Sequence, residues 1–236
     1  MQISLNEIKK ELHKHKSSEQ AQVLQRFFKT GKGEYGENDK FLGVKVPFQR
    51  KVANKYTQVD LKDVEKLLQS EWHEERLTAI HILNNKYNNA ELHEMKNIYD
   101  LYIKNIKYIN NWDLVDSSAP YFVGHFLFNR DKDVLYRLAK SKNLWERRIS
   151  IMATYYFIRQ RQFDDTLKLA KILLGDDHDI IQKAVGWMLR EVGNRHLPTE
   201  ERFLKKYYKE MPRTMLRYAI EKFPEKKRKE YLYGTK

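Results

Sequence analysis

The feature that most constrains this chain is a recurrence at 34 to 36 residues. RLTAI begins at Arg76 and RISIM at Arg148, 72 residues later, each just after a tryptophan (Trp72, Trp145) and acidic residues. Trp112 falls at the midpoint, 36 residues from each. Lys183, in QKAVGW, follows Arg148 by 35 residues, and Arg217, in LRYAIE, follows Lys183 by 34. Such a period fits a two-helix repeat, as in solenoids of stacked helix pairs; it is shorter than a typical HEAT repeat, so the unit is HEAT-like. Equivalent positions in successive repeats project from one face of a superhelix. Arg76, Trp112, Arg148, Lys183 and Arg217 are therefore expected to form one row. Chance is the competing explanation, because charged residues are frequent. The matching apolar pattern, Leu77-Thr78-Ala79-Ile80 beside Ile149-Ser150-Ile151-Met152, favours the repeat.

Local patterning agrees with an all-α chain forming a single ARM/HEAT-like domain over residues 1–236. In AVGWMLREVG and RRISIMATYYFIR, apolar residues recur at spacings of three and four, without the alternation of a strand. Pro47, Pro198, Pro212 and Pro224 read as first-turn prolines that open helices. Ser17-Ser18, Thr30-Gly31 and Asn89 read as caps or stops between helices. Nine glycines and five prolines leave little room for β-turn architecture, and about a dozen helices are expected.

Charge points to an anionic partner. Forty-five Lys and Arg against 32 Asp and Glu give a formal net charge of +13, a field that favours nucleic acid, an acidic membrane face or an acidic protein. Residues 198–236 hold 12 Lys and Arg against 6 Asp and Glu, including the run Lys226-Lys227-Arg228-Lys229. Such cations meet phosphates in a salt-dependent, sequence-tolerant way, although a charge run is more often a solvated helix end. The chain has no cysteine, which excludes disulfides and thiolate zinc sites. The opening stretch MQISLNEIKKELHKHK is charged throughout, and no run has the apolar length of a membrane span. A soluble, cytoplasmic protein is expected.

Familiar motifs are mostly excluded. GKGEYG at 31–36 matches GxGxxG by letter, but it follows the helix-like LQRFFK rather than a strand, so no nucleotide cradle is expected. The segment through Lys40 reads as a flexible loop. None of the eight histidines shows a metal-ligand spacing, and DDHD at 176–179 reads as the acidic start of the helix DIIQKAVGWMLRE. There is no GxSxG elbow or P-loop. Any chemistry must rest on carboxylates, aromatics and cations, with no metal or cofactor.

The stretch NNWDLVDSSAP at 110–120 stands out. An asparagine and Asp113 suit a helix start, whereas Trp112 and Asp116, four apart, share a face. Pro120 lacks the N–H that would reach the Asp116 carbonyl in a helix running from Trp112 to Phe128. Trp72 and Trp145 read as packing residues between repeats. Trp112 and Trp187 fit either the edge of the row or the core, and periodicity alone favours the core.

NWDLVDSSAPYFVG, with NLWERR, IQKAVGWMLRE and the early segment RFFKTGKGEYGENDKFLGVKVP, resembles the DNA alkylation repair glycosylases built of HEAT-like repeats, the AlkD type. The resemblance covers most of the chain in matching order. It implies a right-handed all-α superhelix whose basic concave face holds duplex DNA. It also implies hydrolysis of the N-glycosidic bond of cationic N3- and N7-alkylpurines, acting at the sugar without a deep base pocket. By the same resemblance Asp116 is the catalytic carboxylate, Trp112 and Trp187 are its two aromatic walls, and Arg148 faces DNA. Phe27 stands where some members have a tyrosine near the DNA backbone, and Asn111 replaces a second tryptophan. Arg76, Lys183, Arg190 and Arg217 complete the expected DNA contacts. The expected state is a cytoplasmic, nucleoid-associated monomer in a bacterial-type cell, with damaged duplex DNA as partner and no obligate protein partner or membrane. Two other readings are open: a non-catalytic HEAT-like module for bent, damaged or branched DNA, and a helical scaffold for an acidic protein.

Overall fold

The computed structural model describes residues 4–234; Met1–Ile3, the first residues of the charged opening stretch, and the last two residues lie outside it. The described chain is all-α, its one extended feature being an isolated parallel bridge between Lys40 and Trp72. Internal contacts divide it into two compact units, 1–118 and 119–236. No helix among the described residues is long and apolar enough to cross a membrane.

The first unit contains α1 (Leu5–His13), α2 (Ser18–Phe27), α3 (Val46–Lys55), α4 (Leu61–Leu68), α5 (His73–Asn88), α6 (Leu92–Lys104), a short 3-10 turn (Ile106–Tyr108) and α7 (Trp112–Asp116). The helix starts follow local chemistry. Ser4 and Glu7 close a reciprocal capping box on α1, and Ser17 Oγ accepts from the Gln20 amide at 3.2 Å on α2. Pro47 sits in the first turn of α3, where its missing N–H costs nothing. The centre of the unit is α5, buried along most of its length and packed by α3, α4, α6 and α7. A helix covered on every side must carry apolar residues around its whole circumference, which is why α5 has no clean amphipathic stripe.

The second unit begins with a π-helical segment (Ala119–His125), followed by α8 (Asp133–Ala139), α9 (Leu144–Arg159), α10 (Asp164–Ile172), α11 (Asp179–Tyr207), α12 (Arg213–Ala219) and α13 (Glu225–Tyr233). Its central helix is α9, packed by the π-helical segment, α8, α10 and α11. The expected continuous helix from Trp112 to Phe128 is divided: α7 stops at Asp116 and the chain resumes with the wider π turn that contains Pro120. A proline cannot donate the i to i−4 bond, and a one-turn π bulge is a common way to absorb that loss. Pro198 likewise marks a break. The backbone of α11 leaves the helical region at His196 (φ −156°, ψ 83°), and Pro198 opens its second half.

The sequence recurrence marks helix starts. Arg76 is the fourth residue of α5, while Arg148, Lys183 and Arg217 are each the fifth residue of α9, α11 and α12. Trp112 is the first residue of α7.

Glu200 shows the cost of the break in α11. It is 1 % exposed, and burial pushes its carboxyl up to about 8 against the attraction of Lys227 and Arg190. It fills the space beside Gly193, where a Cβ would come within 1.6 Å of its Oε2, and its Oε1 has no hydrogen-bond partner among the described residues. A carboxyl whose folded pKa is raised loses stability as pH climbs from its unfolded value through the folded one. Glu200→Gln is therefore expected to leave Tm unchanged near pH 4.5 and to raise it by pH 8. The gain should be at least about 2–4 °C, the shift that ~1 kcal/mol gives in a chain of this size. Thermal unfolding across that range checks it; a gain that does not grow with pH contradicts the assignment.

Candidate functional site

The first turn of α5 reads His73-Glu74-Glu75-Arg76, four polar residues that are all buried. Unpaired buried charges would cost several kcal/mol each, so every one needs partners. Glu74 accepts three backbone N–H groups, from Leu42 (2.8 Å), Gly43 (2.7 Å) and Val44 (3.1 Å). Glu75 takes Lys9 and His13 of α1, each at 2.7 Å. Arg76 gives one guanidinium nitrogen to Asp39 (2.5 Å) and another to the Ser70 carbonyl (2.9 Å). His73 lies between two carboxylates, with Nδ1 2.8 Å from Asp39 and Nε2 2.8 Å from Asp113.

That last arrangement fixes the charge state of His73. Burial opposes ionisation, but the carboxylates of Asp113 and Asp39 prevail and hold the imidazole pKa at about 9. Asp39 is held below the usual carboxylate range: burial raises it, and His73 and Arg76 together outweigh burial. Both imidazole nitrogens therefore donate at neutral pH. Asn111 joins the cluster through Nδ2 to Asp39 (3.2 Å), while its Oδ1 accepts the Trp112 amide (2.9 Å) and caps α7. Asp113 divides its oxygens in the same way, Oδ2 to His73 and Oδ1 to the Leu114 amide (2.8 Å). The start of α7 is thus tied to α5 and to the loop at Asp39 by charged hydrogen bonds.

Trp112 emerges at that anchored start. Its ring stacks on Phe28 (centroids 5.2 Å, 24°) and meets Phe27 edge-on (5.8 Å, 71°). Phe28 continues onto Phe41 (5.1 Å), and Phe41 stacks on the His73 imidazolium (4.5 Å, 22°). These rings wall a cavity of about 380 Å³ between α2, the 41–46 segment, α3, α5 and α7. Phe28 and Phe41 are buried, Trp112 is half-buried, and Phe27 is 60 % exposed. The loop between Phe41 and Val44 packs tightly against the start of α2. Gly43 has φ +81°, and a Cβ there would come within 1.9 Å of the Ser17 carbonyl oxygen. His81 also lines the space. Burial, with the charge of Arg50 adding, pulls it down to about 4, so it is neutral at physiological pH.

Asp116 is the half-buried last residue of α7, one turn after Trp112. Tyr102 of α6 is buried and bonds Ser118 Oγ at 2.9 Å. Burial raises the Tyr102 phenol pKa, and the Asp116 charge adds to the rise. Trp112, Asp116, Phe27 and Arg76 all belong to the first unit, where Arg76 is 3 % exposed and bonded to protein groups. The other expected residues lie in the second. Arg148 is buried with a guanidinium nitrogen on the Ile180 carbonyl (2.7 Å), and Lys183 pairs with Asp179 (2.7 Å). Half-buried Trp187 bonds Glu191 at 3.2 Å, Arg190 pairs with Glu221, and Arg217 is exposed. GKGEYG follows α2, not a strand, as expected.

Sequence reasoning missed Asp39 and His73. They lie 34 residues apart, and His73 lies 40 before Asp113, close to one repeat in each case. The one available signal was a histidine and two glutamates ahead of an apolar run, which by itself suggests no more than an exposed acidic first turn.

Comparison with known proteins agrees with the fold. The family described as DNA alkylation repair enzyme matches residues 8–223. Two solved structures are similar. A predicted DNA alkylation repair enzyme from Enterococcus faecalis has a TM-score of 0.71 at 17 % identity, over 89 % of this chain and 98 % of that one. AlkD2 from Streptococcus mutans has a TM-score of 0.54 at 17 % identity, over 88 % and 98 %. At that identity the likeness is one of fold. Among curated proteins none matches the sequence significantly.

A histidine whose folded pKa lies above its unfolded value contributes stability that is complete below about 6.5 and lost as pH rises through about 9. The contribution of His73 is on the order of 3 kcal/mol at most. Wild-type stability should fall across that window, and His73→Gln should be less stable at pH 6 with a flattened slope between pH 6.5 and 9. Urea unfolding at stepped pH measures this; an undiminished slope in the variant contradicts the pairing.

Proposed function

This chain belongs to the DNA alkylation repair enzyme family, and from that premise we propose that it is a monofunctional DNA glycosylase. Its substrates are cationic N3- and N7-alkylated purines in duplex DNA, and the bond hydrolysed is the N-glycosidic one. The observation that carries the proposal is the placement of Trp112 and Asp116 at the two ends of a five-residue helix whose start is fixed by Asp113 on buried His73.

An alkylated purine already bears positive charge and departs as a neutral base. It needs no general acid, so one carboxylate suffices where ordinary glycosidases use two. Positive charge then gathers on the deoxyribose. Asp116 stabilises that charge where it develops and orients the attacking water. Trp112 turns a π face to the cationic sugar, an attraction of ~1–2 kcal/mol when desolvated. The family resemblance gives Trp187 the role of a second aromatic. The net charge of +13 draws the protein to duplex DNA. Lys183, Arg190 and Arg217 meet the phosphate backbone, Arg148 supports that surface from its buried position, and Arg76 serves the site through Asp39. Phe27 gives an apolar contact beside Trp112. The protein acts as a monomer on chromosomal DNA.

Release of 7-methylguanine from methylated duplex under single-turnover conditions tests the assignment. Asp116→Asn should slow release by about 10²–10³-fold, the loss typical of one electrostatic stabiliser. Its dissociation constant for undamaged duplex should stay within about threefold of wild type. Trp112→Ala should also slow release strongly. Unchanged release in both variants contradicts the mechanism. Duplex binding without any release by the wild type would instead leave a non-catalytic DNA-binding module.

A further inference from the structure

A helix of five residues is little more than one turn, and so short a helix does not hold itself in place. Asp113 fastens the start of α7 to His73, whereas Asp116 stands at the other end. Pro120 and the π turn that follow deny α7 the regular continuation that would brace that end. Where the Asp116 carboxylate sits therefore depends on what holds the end of the helix.

The last carbonyls of a helix have no partners within it, and here groups from outside α7 take them. Ser118 is buried, and its Oγ donates to the Leu114 carbonyl at 2.5 Å and meets the Tyr102 hydroxyl of α6 at 2.9 Å. That bond closes the turn. Asn84 then ties the turn to α5. Its Nδ2 donates at 2.9 Å to the carbonyl of Ser117, the C-cap that follows Asp116 directly. A carbonyl only accepts, so the amide must present its nitrogen there. His73 opens α5 and half-buried Asn84 lies in its second half, so the two ends of α7 are fastened to opposite halves of one buried helix. Helix propensity gives no reason for asparagine at 84, since leucine, branched at the same carbon, favours a helix more. What leucine lacks is the donor.

We propose that Asn84 is a positioning residue for Asp116: through the Ser117 carbonyl it fixes the end of α7, and with it the place of the carboxylate beside the sugar that loses its purine. A stabilising charge acts only where charge develops, and a misplacement of about 1 Å can cost 10²-fold in rate. Trp112 and Asp116 must also serve the same sugar, which a helix fastened at both ends allows and one fastened at its start alone does not. This assignment rests on the glycosylase reading and goes beyond it, since Asn84 acts through the backbone and needs no contact with DNA.

The test is release of 7-methylguanine from methylated duplex by the full chain, with enzyme in saturating excess. The rate constant is then independent of what fraction of the protein is folded, so lost stability cannot imitate lost position. Asn84→Leu should lower that rate constant about tenfold, with the affinity for undamaged duplex unchanged. Added to Asp116→Asn, the same substitution should slow release no further, because a residue that acts only through Asp116 has nothing left to place. A purely structural role would give no such dependence. Circular dichroism checks that each variant folds; should Asn84→Leu unfold, Asn84→Ala, which adds no bulk, decides. An unslowed Asn84 variant, or an additive loss in the double variant, overturns the proposal. If Asp116→Asn slows release and the Asn84 variant does not, the positioning role falls and the glycosylase stands. If release is insensitive to Asp116→Asn, the glycosylase mechanism itself falls, and this role with it.

Discussion

The first unit depends on a buried imidazolium. His73 sits between Asp39 and Asp113 at 2.8 Å on each side, with Arg76 completing the charge balance on Asp39. Such a cluster is a poor source of net stability, because desolvation consumes much of the attraction and an apolar replacement often serves as well. Its value lies in direction. Two charged hydrogen bonds at fixed angles set where the 39–41 loop and α7 meet α5. Removing one partner leaves a buried charge uncompensated, at a cost of about 3–5 kcal/mol.

Consequences spread outward from that cluster. Phe41 follows Asp39 by two residues and stacks on His73, so the aromatic wall is placed by the same contact that neutralises the charge. Glu74, next in the chain, gathers the amides of Leu42, Gly43 and Val44, which turns the segment back toward α3. Glu75 brings in α1 through Lys9 and His13. One turn of one helix thus positions three other parts of the unit. Trp112 and Asp116 inherit their placement from Asp113.

Much of this was legible in the sequence. Helical periodicity was enough for an all-α fold, and the 34–36-residue recurrence marks the starts of α5, α7, α9, α11 and α12. Pro120 announced an irregular backbone, and the π-helical segment is its form. An asparagine cap at 110 or 111 and a first-turn acid at Asp113 were legible; Asn111 is the cap, and Asp113 lies in the first turn. Their second role was not. A side chain that caps its own helix and also reaches a partner 40 or 72 residues away looks the same in sequence as one that only caps. The buried state of Arg76 and Arg148 was hidden for a similar reason: a cation in a regular row reads as solvent-facing until its carboxylate or carbonyl partner is located. The cavity was invisible because its wall is assembled from four separate helices and a loop whose course depends on Glu74.

The protonation state of His73 tests the account most directly. Nitrogen-15 chemical shifts of the His73 imidazole at pH 8 report whether one or both ring nitrogens carry a proton. The expected result is a doubly protonated ring at pH 8, titrating near 9, and a lowered titration point in Asp113→Asn together with changed side-chain resonances of Trp112. A neutral His73 at pH 8, or a Trp112 environment indifferent to the loss of Asp113, would contradict it.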